Sequence, residues 1–313
     1  VTPVARLEAA LAATVDSSAP PPLAGGDIAD VIGSVLHAFA HWLQSQLPAS
    51  ATPLYGIMRE GRLLARLHRR HGGTAAEIWL NRRLCMKAAI LSAEDDEALR
   101  NFLVRGRRLP LSPAQAACEL GLPPPLSSPG LALTAGSDSL ESFLAWLRHP
   151  AQATPLARTM RELRWRLVAH LDRVGALSAP HLFLTDLGYA ANIQNALEKI
   201  LRHEGRTIRT IGLYLLTTPG ARWVGVRGGE TRAFLAELGE PAWFTRLFSR
   251  SPEPLEALCA SETGPLLDWN PDGTPHCAPS LLPPEQCAEM RAVQEAIINA
   301  PPRHLTLPAP EFA

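Results

Sequence analysis

Apolar positions follow two rhythms along this chain. Short continuous runs at residues 54–58, 76–80, 182–185 and 210–216 have the length and bounding polar turns of buried strands. Between them, apolar residues return every three or four positions, as on one face of a helix. Ile32, Val35, Phe39, Trp42 and Leu43 mark such a stripe over 28–46, and Leu63, Leu64 and Leu67 mark one over 62–70. Ile193, Leu197 and Ile200 mark a third, directly after the strand that reaches Asp186. Ser112-Pro113 with Gln115 reads as a capping box with proline in the first helical position. Thr154-Pro155 predicts the start of a longer helix carrying Met160, Leu163, Leu167, Leu171 and Val174, with Gly175 as its stop. A last helix is predicted over 284–299. Strands alternating with helices predict an α/β fold, a Rossmann-like and mostly parallel sheet with helical insertions. The expected organisation is an Ala/Pro-rich segment over 1–26, with a short helical stretch at 4–15, and then an α/β domain over 27–240. A helical insertion at about 93–180 and a mixed extension over 241–313 complete it.

Composition narrows the function classes. A chain of 313 residues can bury a large core, and its formal net charge of zero gives no global field for nucleic acid or an anionic membrane. No apolar run approaches the roughly 18 residues of a membrane span. Val1-Thr-Pro-Val lacks the basic start and apolar stretch of a secretory signal. The five cysteines, Cys85, Cys118, Cys259, Cys277 and Cys287, are odd in number and scattered, which argues against a disulfide framework and for a reducing cytoplasm.

The candidate chemistry sits at the carboxyl ends of the expected strands, where open α/β sheets bind ligands. One strand delivers Arg59, Glu60 and Gly61, a second Asn81, Arg82 and Arg83, and a third Asp186, Gly188, Tyr189, Asn192 and Gln194. Arginine forks suit phosphate or carboxylate, and the start of the helix after Gly188 offers unpaired N–H groups to an anion. Asp186 is the candidate catalytic group, as base, hydroxyl acceptor or metal ligand. Asn192 and Gln194 carry amides able to read a sugar or base edge, and Tyr189 a ring able to stack. The competing reading of each is structural: arginines paired to Glu60, Glu77 or Asp186, and Asp186 capping a helix.

Four segments carry a family resemblance. Gly33-Ser-Val-Leu36 with Phe39-Ala-His-Trp42, then Arg59-Glu60-Gly61, Asn81-Arg82-Arg83 and Asp186-Leu-Gly-Tyr-Ala-Ala-Asn-Ile-Gln194, resemble the region that follows the hydrolase domain in bacterial haloacid dehalogenase superfamily proteins. Those proteins are found with surface-polysaccharide and glycosyltransferase genes. A fainter echo runs from Glu256 through Gly264 and Asp272-Gly273 to Gln294-Glu295, so the likeness spans about 28–300. Glu60, Asn81, Ala191 and Asn192 depart from the pattern, and no Asp-x-Asp-x-Thr start is present. The resemblance implies an enzyme or enzyme domain acting on a phosphorylated sugar or nucleotide-linked substrate in glycoconjugate assembly. It transfers no hydrolase nucleophile. A looser similarity is to phosphoribosyltransferases, whose pyrophosphate loop Ile57-Met-Arg-Glu-Gly61 resembles; that reading implies diphosphate binding and Mg²⁺ dependence. Asp186 stands without the second acid and Thr-Gly-x-Thr of that family. A third reading is a non-catalytic binding or scaffold subunit that works with a partner protein.

Other constellations are weaker. His37 and His41 share a helical face without a third ligand, and His276, Cys277 and Cys287 match no common metal spacing, so no metal residues are assigned. No Gly-x-Ser-x-Gly elbow, Walker loop or dinucleotide fingerprint occurs. The Arg-rich stretch 155–174 lacks the aromatic interleaving of a nucleic-acid surface.

Overall fold

The computed structural model describes residues 25–49, 51–105, 109–125, 132–250, 252–280 and 282–300, so the expected stretch at 4–15 lies outside the described residues. β1 (Leu54–Ile57), β2 (Ala75–Ile78), β3 (His181–Tyr189), β4 (Arg209–Thr217) and β5 (Glu230–Ala236) form one parallel sheet in the order β2-β1-β3-β4-β5. This is a Rossmann-like α/β fold, in one of the two common doubly wound strand orders. The chain steps outward from β1 to β2 and re-enters on the other side of β1 as β3. The strand order therefore reverses between β1 and β3.

Strand alternation divides the apolar residues between two faces. On one face Tyr55, Ile57, Leu182 and Leu184 pack against α3 (Arg82–Ala88), α7 (Pro150–Arg173) and α8 (Asn192–His203). On the other, Leu54, Phe183, Ile211 and Leu213 meet α1 (Gly25–Gln46), α2 (Gly61–Arg70), α11 (Glu253–Cys259) and α12 (Pro284–Asn299). A third core is local to the insertion, where α4 (Asp96–Leu103), α5 (Pro113–Leu120) and α6 (Asp138–Arg148) close on the first half of α7. A two-stranded antiparallel hairpin, β6 (Leu266–Trp269) and β7 (Pro275–Cys277), leans on α7 and is tied to β2 by His170. Trp79 N–H donates to His170 Nε2 at 3.0 Å, and His170 Nδ1–H donates to Gly273 O at 2.8 Å.

Two expectations need correction. The long helix begins at Pro150 with His149 as N-cap, and Pro155 lies inside it. Of the two prolines, Pro150 is the one that takes the tolerated first position. β3 does not turn at Gly188: that residue is still paired with Leu216, and a Cβ on it would meet Leu216 O at 2.0 Å. Glycine is required there by the close approach of β4. The turn falls after Tyr189, at Ala190 and Ala191.

Candidate functional site

The chain leaves β3 through Tyr189 and Ala191, both with positive φ (72° and 51°), and enters α8 at Asn192. Left-handed backbone is costly for residues with a Cβ and tends to persist where function demands it. Ala191 has no side-chain oxygen, so α8 starts without a side-chain cap. α2 begins the same way after Glu60, its first residue pressed on β1: a Cβ on Gly61 would meet the Gly56 backbone at 2.7 Å. Gly61 is thus a packing residue, outside the lining of the cleft described next.

At the β1/β3 reversal the strand ends enclose a cleft of about 590 Å³. β1 contributes Arg59 and Glu60, the β2 end Asn81 and Arg82, β3 Asp186, Gly188 and Tyr189, and the start of α8 Asn192. Tyr214 of β4 and Glu256 of α11 complete its polar wall. The Met58–Arg59 peptide is cis in the β1 turn. Asp186 is recessed in the floor, opposite Tyr214 in the β3–β4 register. Its Oδ1 accepts from the Leu187 N–H at 2.8 Å. Burial raises its carboxyl well above the ordinary value, and the nearby Glu60 and then Glu256 carboxylates raise it further against the opposing Leu187 N–H. The Tyr189 hydroxyl is buried with no hydrogen-bond partner among the described residues. Its phenol is raised by burial first, then by Glu256 and Asp186.

Of the residues expected to gather, Arg59, Glu60, Arg82, Asp186, Gly188, Tyr189 and Asn192 line this cleft. Arg59 is held only loosely, 4.0 Å from the Glu60 carboxylate, while its own N–H donates to Glu60 Oε2 at 3.2 Å. Arg83 does not line the cleft: it pairs with Glu119 of α5, because the helix that follows Asn81 turns it toward the insertion. Asn81 accepts from Arg83 N at 2.8 Å and Leu84 N at 3.3 Å, so it caps α3. Gln194 also departs from expectation. It is wholly buried, donating to Thr210 Oγ1 at 2.9 Å and Glu230 O at 2.8 Å and accepting from the Tyr214 hydroxyl at 2.9 Å. Thr210 Oγ1 in turn donates to Glu198 Oε1 at 2.5 Å. Every donor in this chain is committed, so the Tyr214 phenol is fixed as a donor away from Asp186.

Sequence reasoning missed Glu256 and Tyr214. Glu256 comes from a helix seventy positions beyond Asp186, and only the packing of α11 on α2 brings it in. Tyr214 was legible as a strand residue, and its register opposite Asp186 was the missing fact. His37 meets partners the sequence did not pair with it. Its Nδ1 lies 3.0 Å from His71 Nε2 and its Nε2 lies 2.7 Å from Ile297 O. Among the described residues, no group of three or more His, Cys, Asp or Glu is arranged to hold a metal ion. No helix among them is long and apolar enough to cross a membrane.

Chemically, the cleft joins a carboxyl whose pKa is raised by burial, two further carboxylates, and arginines at the rim. Such a set can move a proton to or from a ligand while cationic groups engage its anionic part. No protein-family model matches the chain, and no curated protein matches it.

Proposed function

We propose that this chain is a transferase-like enzyme whose cleft binds a phosphorylated sugar or nucleotide-linked substrate. Arg59 and Arg82 engage the anionic group, Asn192 orients the ligand, and Asp186 exchanges a proton with a substrate hydroxyl or leaving group. The observation that carries the reading is Asp186: a carboxyl raised by burial and by two neighbouring carboxylates, on the floor of a cleft at the strand-order reversal. Glycoconjugate assembly as the setting follows from the resemblance of the three strand-end motifs. The phosphoribosyl reading draws on Arg59-Glu60-Gly61 at the β1 turn and adds a requirement for Mg²⁺.

Calorimetric titration with sugar phosphates, nucleotide sugars, phosphoribosyl diphosphate and inorganic phosphate, each with and without Mg²⁺, tests this. The wild type binds one class; Arg59→Ala weakens it at least about tenfold, the usual scale for a lost charged contact, and Asp186→Asn weakens it by the loss of one hydrogen bond to the ligand. Arg83→Ala binds as the wild type does. Failure of every anion to bind, or undiminished binding by both cleft variants, contradicts the assignment. Binding that requires Mg²⁺ and prefers phosphoribosyl diphosphate selects the second form of it.

A further inference from the structure

The cleft does not end at α8. A second one, of about 660 Å³, opens on the far side of the same turn, and Ala190 and Asn192 line both. Its walls come from α3, α4, α8 and the short helix α9 (Arg222–Val226). Its chemistry differs from that of the first. Met86, Ala89 and Ala98 make an apolar wall, and Trp223 and Val226 face them while remaining 46% and 71% exposed. The Arg222 guanidinium lies 5.3 Å from the Trp223 ring centre and braces it.

Among the described residues, two of the four cations that line it, Lys199 and Arg227, are paired with carboxylates. Lys199 donates to Asp95 at 2.5 and 2.6 Å. Arg227 donates to Asn195 Oδ1 at 2.9 Å and Glu97 at 2.6 Å, and Arg202 donates to the Arg227 carbonyl. Lys199 and Arg227 thereby tie α8 and α9 to the start of α4. An exposed, braced indole facing apolar side chains, with Asn101 and Asn195 at hand, fits a flat, uncharged ring that carries hydrogen-bonding edges.

We infer that the second cleft takes the base of a nucleoside diphosphate-linked substrate, its ring against Trp223 and its diphosphate crossing the Ala190–Asn192 turn. The glycosyl end then enters the first cleft beside Asp186. This inference rests on the small-molecule reading of the first cleft and narrows its substrate to the nucleotide-linked class. It divides the recognition: Trp223 reads the base, and Asp186 with the rim arginines meets the reacting end.

The test is titration of wild type, Trp223→Ala and Trp223→Phe with a nucleoside diphosphate, inorganic pyrophosphate and a sugar phosphate. The nucleoside diphosphate binds the wild type more tightly than pyrophosphate does. Trp223→Ala loses roughly tenfold to a hundredfold of that affinity, the scale of one base-stacking contact, and keeps its sugar phosphate affinity. Trp223→Phe, which retains a stacking face, keeps most of the nucleotide affinity. A wild type that binds nucleoside diphosphate no better than pyrophosphate overturns the inference, as does a Trp223→Ala protein that binds it undiminished. If sugar phosphate still binds in those cases, the first cleft stands without the second. If nothing binds the wild type, both readings fall together.

Discussion

The helical insertion and the carboxyl edge of the sheet obey opposite rules. In the insertion, local demands are met on the spot, with the buried Gln152 Oε1 as the exception among its described residues. Asp95, Ser112 and Ser137 cap α4, α5 and α6 with their own side chains, Ser112 in a full capping box. Leu99, Leu103, Leu120 and Leu144 are completely buried. Arg100 meets Glu141 through two bonds of 2.6 and 2.7 Å. At the strand ends the demands go unmet. α2 and α8 lack side-chain caps, Tyr189 and Ala191 hold left-handed backbone, and the Tyr189 hydroxyl has no partner among the described residues. Asp186 sits among carboxylates. α9, α11 and α12 also start uncapped, so the missing cap alone is not the mark. The mark is the coincidence of several unmet demands around one cleft, and natural folds concentrate such departures where they do their chemistry.

The contrast can be broken by substitution, and the largest effects belong to the insertion and its neighbours. Leu144→Ala removes a fully buried side chain and costs about 2–5 kcal/mol in denaturant unfolding. The fraction that remains folded keeps its sugar phosphate affinity, because the first cleft takes no wall from the insertion. His170→Ala strands the Trp79 N–H and the Gly273 carbonyl and costs about 2–4 kcal/mol. His170 also gives a pH signature. Burial holds its pKa below the ordinary 6.5, so the unfolded chain binds the extra proton first and stability falls as pH drops below 6.5. A guanidinium titration series at pH 7.5 and 5.5 shows part of that fall in the wild type and less of it in His170→Gln.

Smaller substitutions sharpen the comparison. Ser112→Ala forfeits a working cap and costs about 1 kcal/mol. Ala191→Gly does the reverse, relieving left-handed strain and gaining up to about 1 kcal/mol. Melting temperatures of the two variants moving in the same direction would erase the distinction between the regions.

Much of the fold was legible because the residues that make it act locally. The Ser112 capping box, the Ile193–Leu197–Ile200 stripe and the apolar runs of β1, β3 and β4 are short-range signals, and the structure follows them. β5 was not foreseen: in Glu230–Ala236 only Ala236 is fully buried, so no apolar run announces it. Gly188 was misread because a glycine that admits a neighbouring strand looks like one that makes a turn. Gln194 and Arg83 fall outside the cleft for a common reason. A polar residue beside a turn faces whichever side its helix phase dictates, and that phase depended on where α8 and α3 began. Glu256, Tyr214 and the His37–His71 contact are tertiary facts with no local trace.

The most direct test of the account is the pH dependence of folding stability for wild type and Asp186→Asn. The folded state keeps the Asp186 proton to higher pH than the unfolded chain, whose carboxyl titrates near 3.8, so it binds more protons across the interval above that value. Stability contributed by Asp186 is therefore lost as pH rises through the raised pKa. Asp186→Asn removes that loss. The account predicts a variant that matches the wild type below about pH 4, in keeping with the reference carboxylate pKa, and unfolds at measurably higher denaturant near pH 8. A variant less stable than wild type near pH 8 would contradict it, making the Asp186 carboxylate a support of the fold and leaving the cleft without its unmet charge.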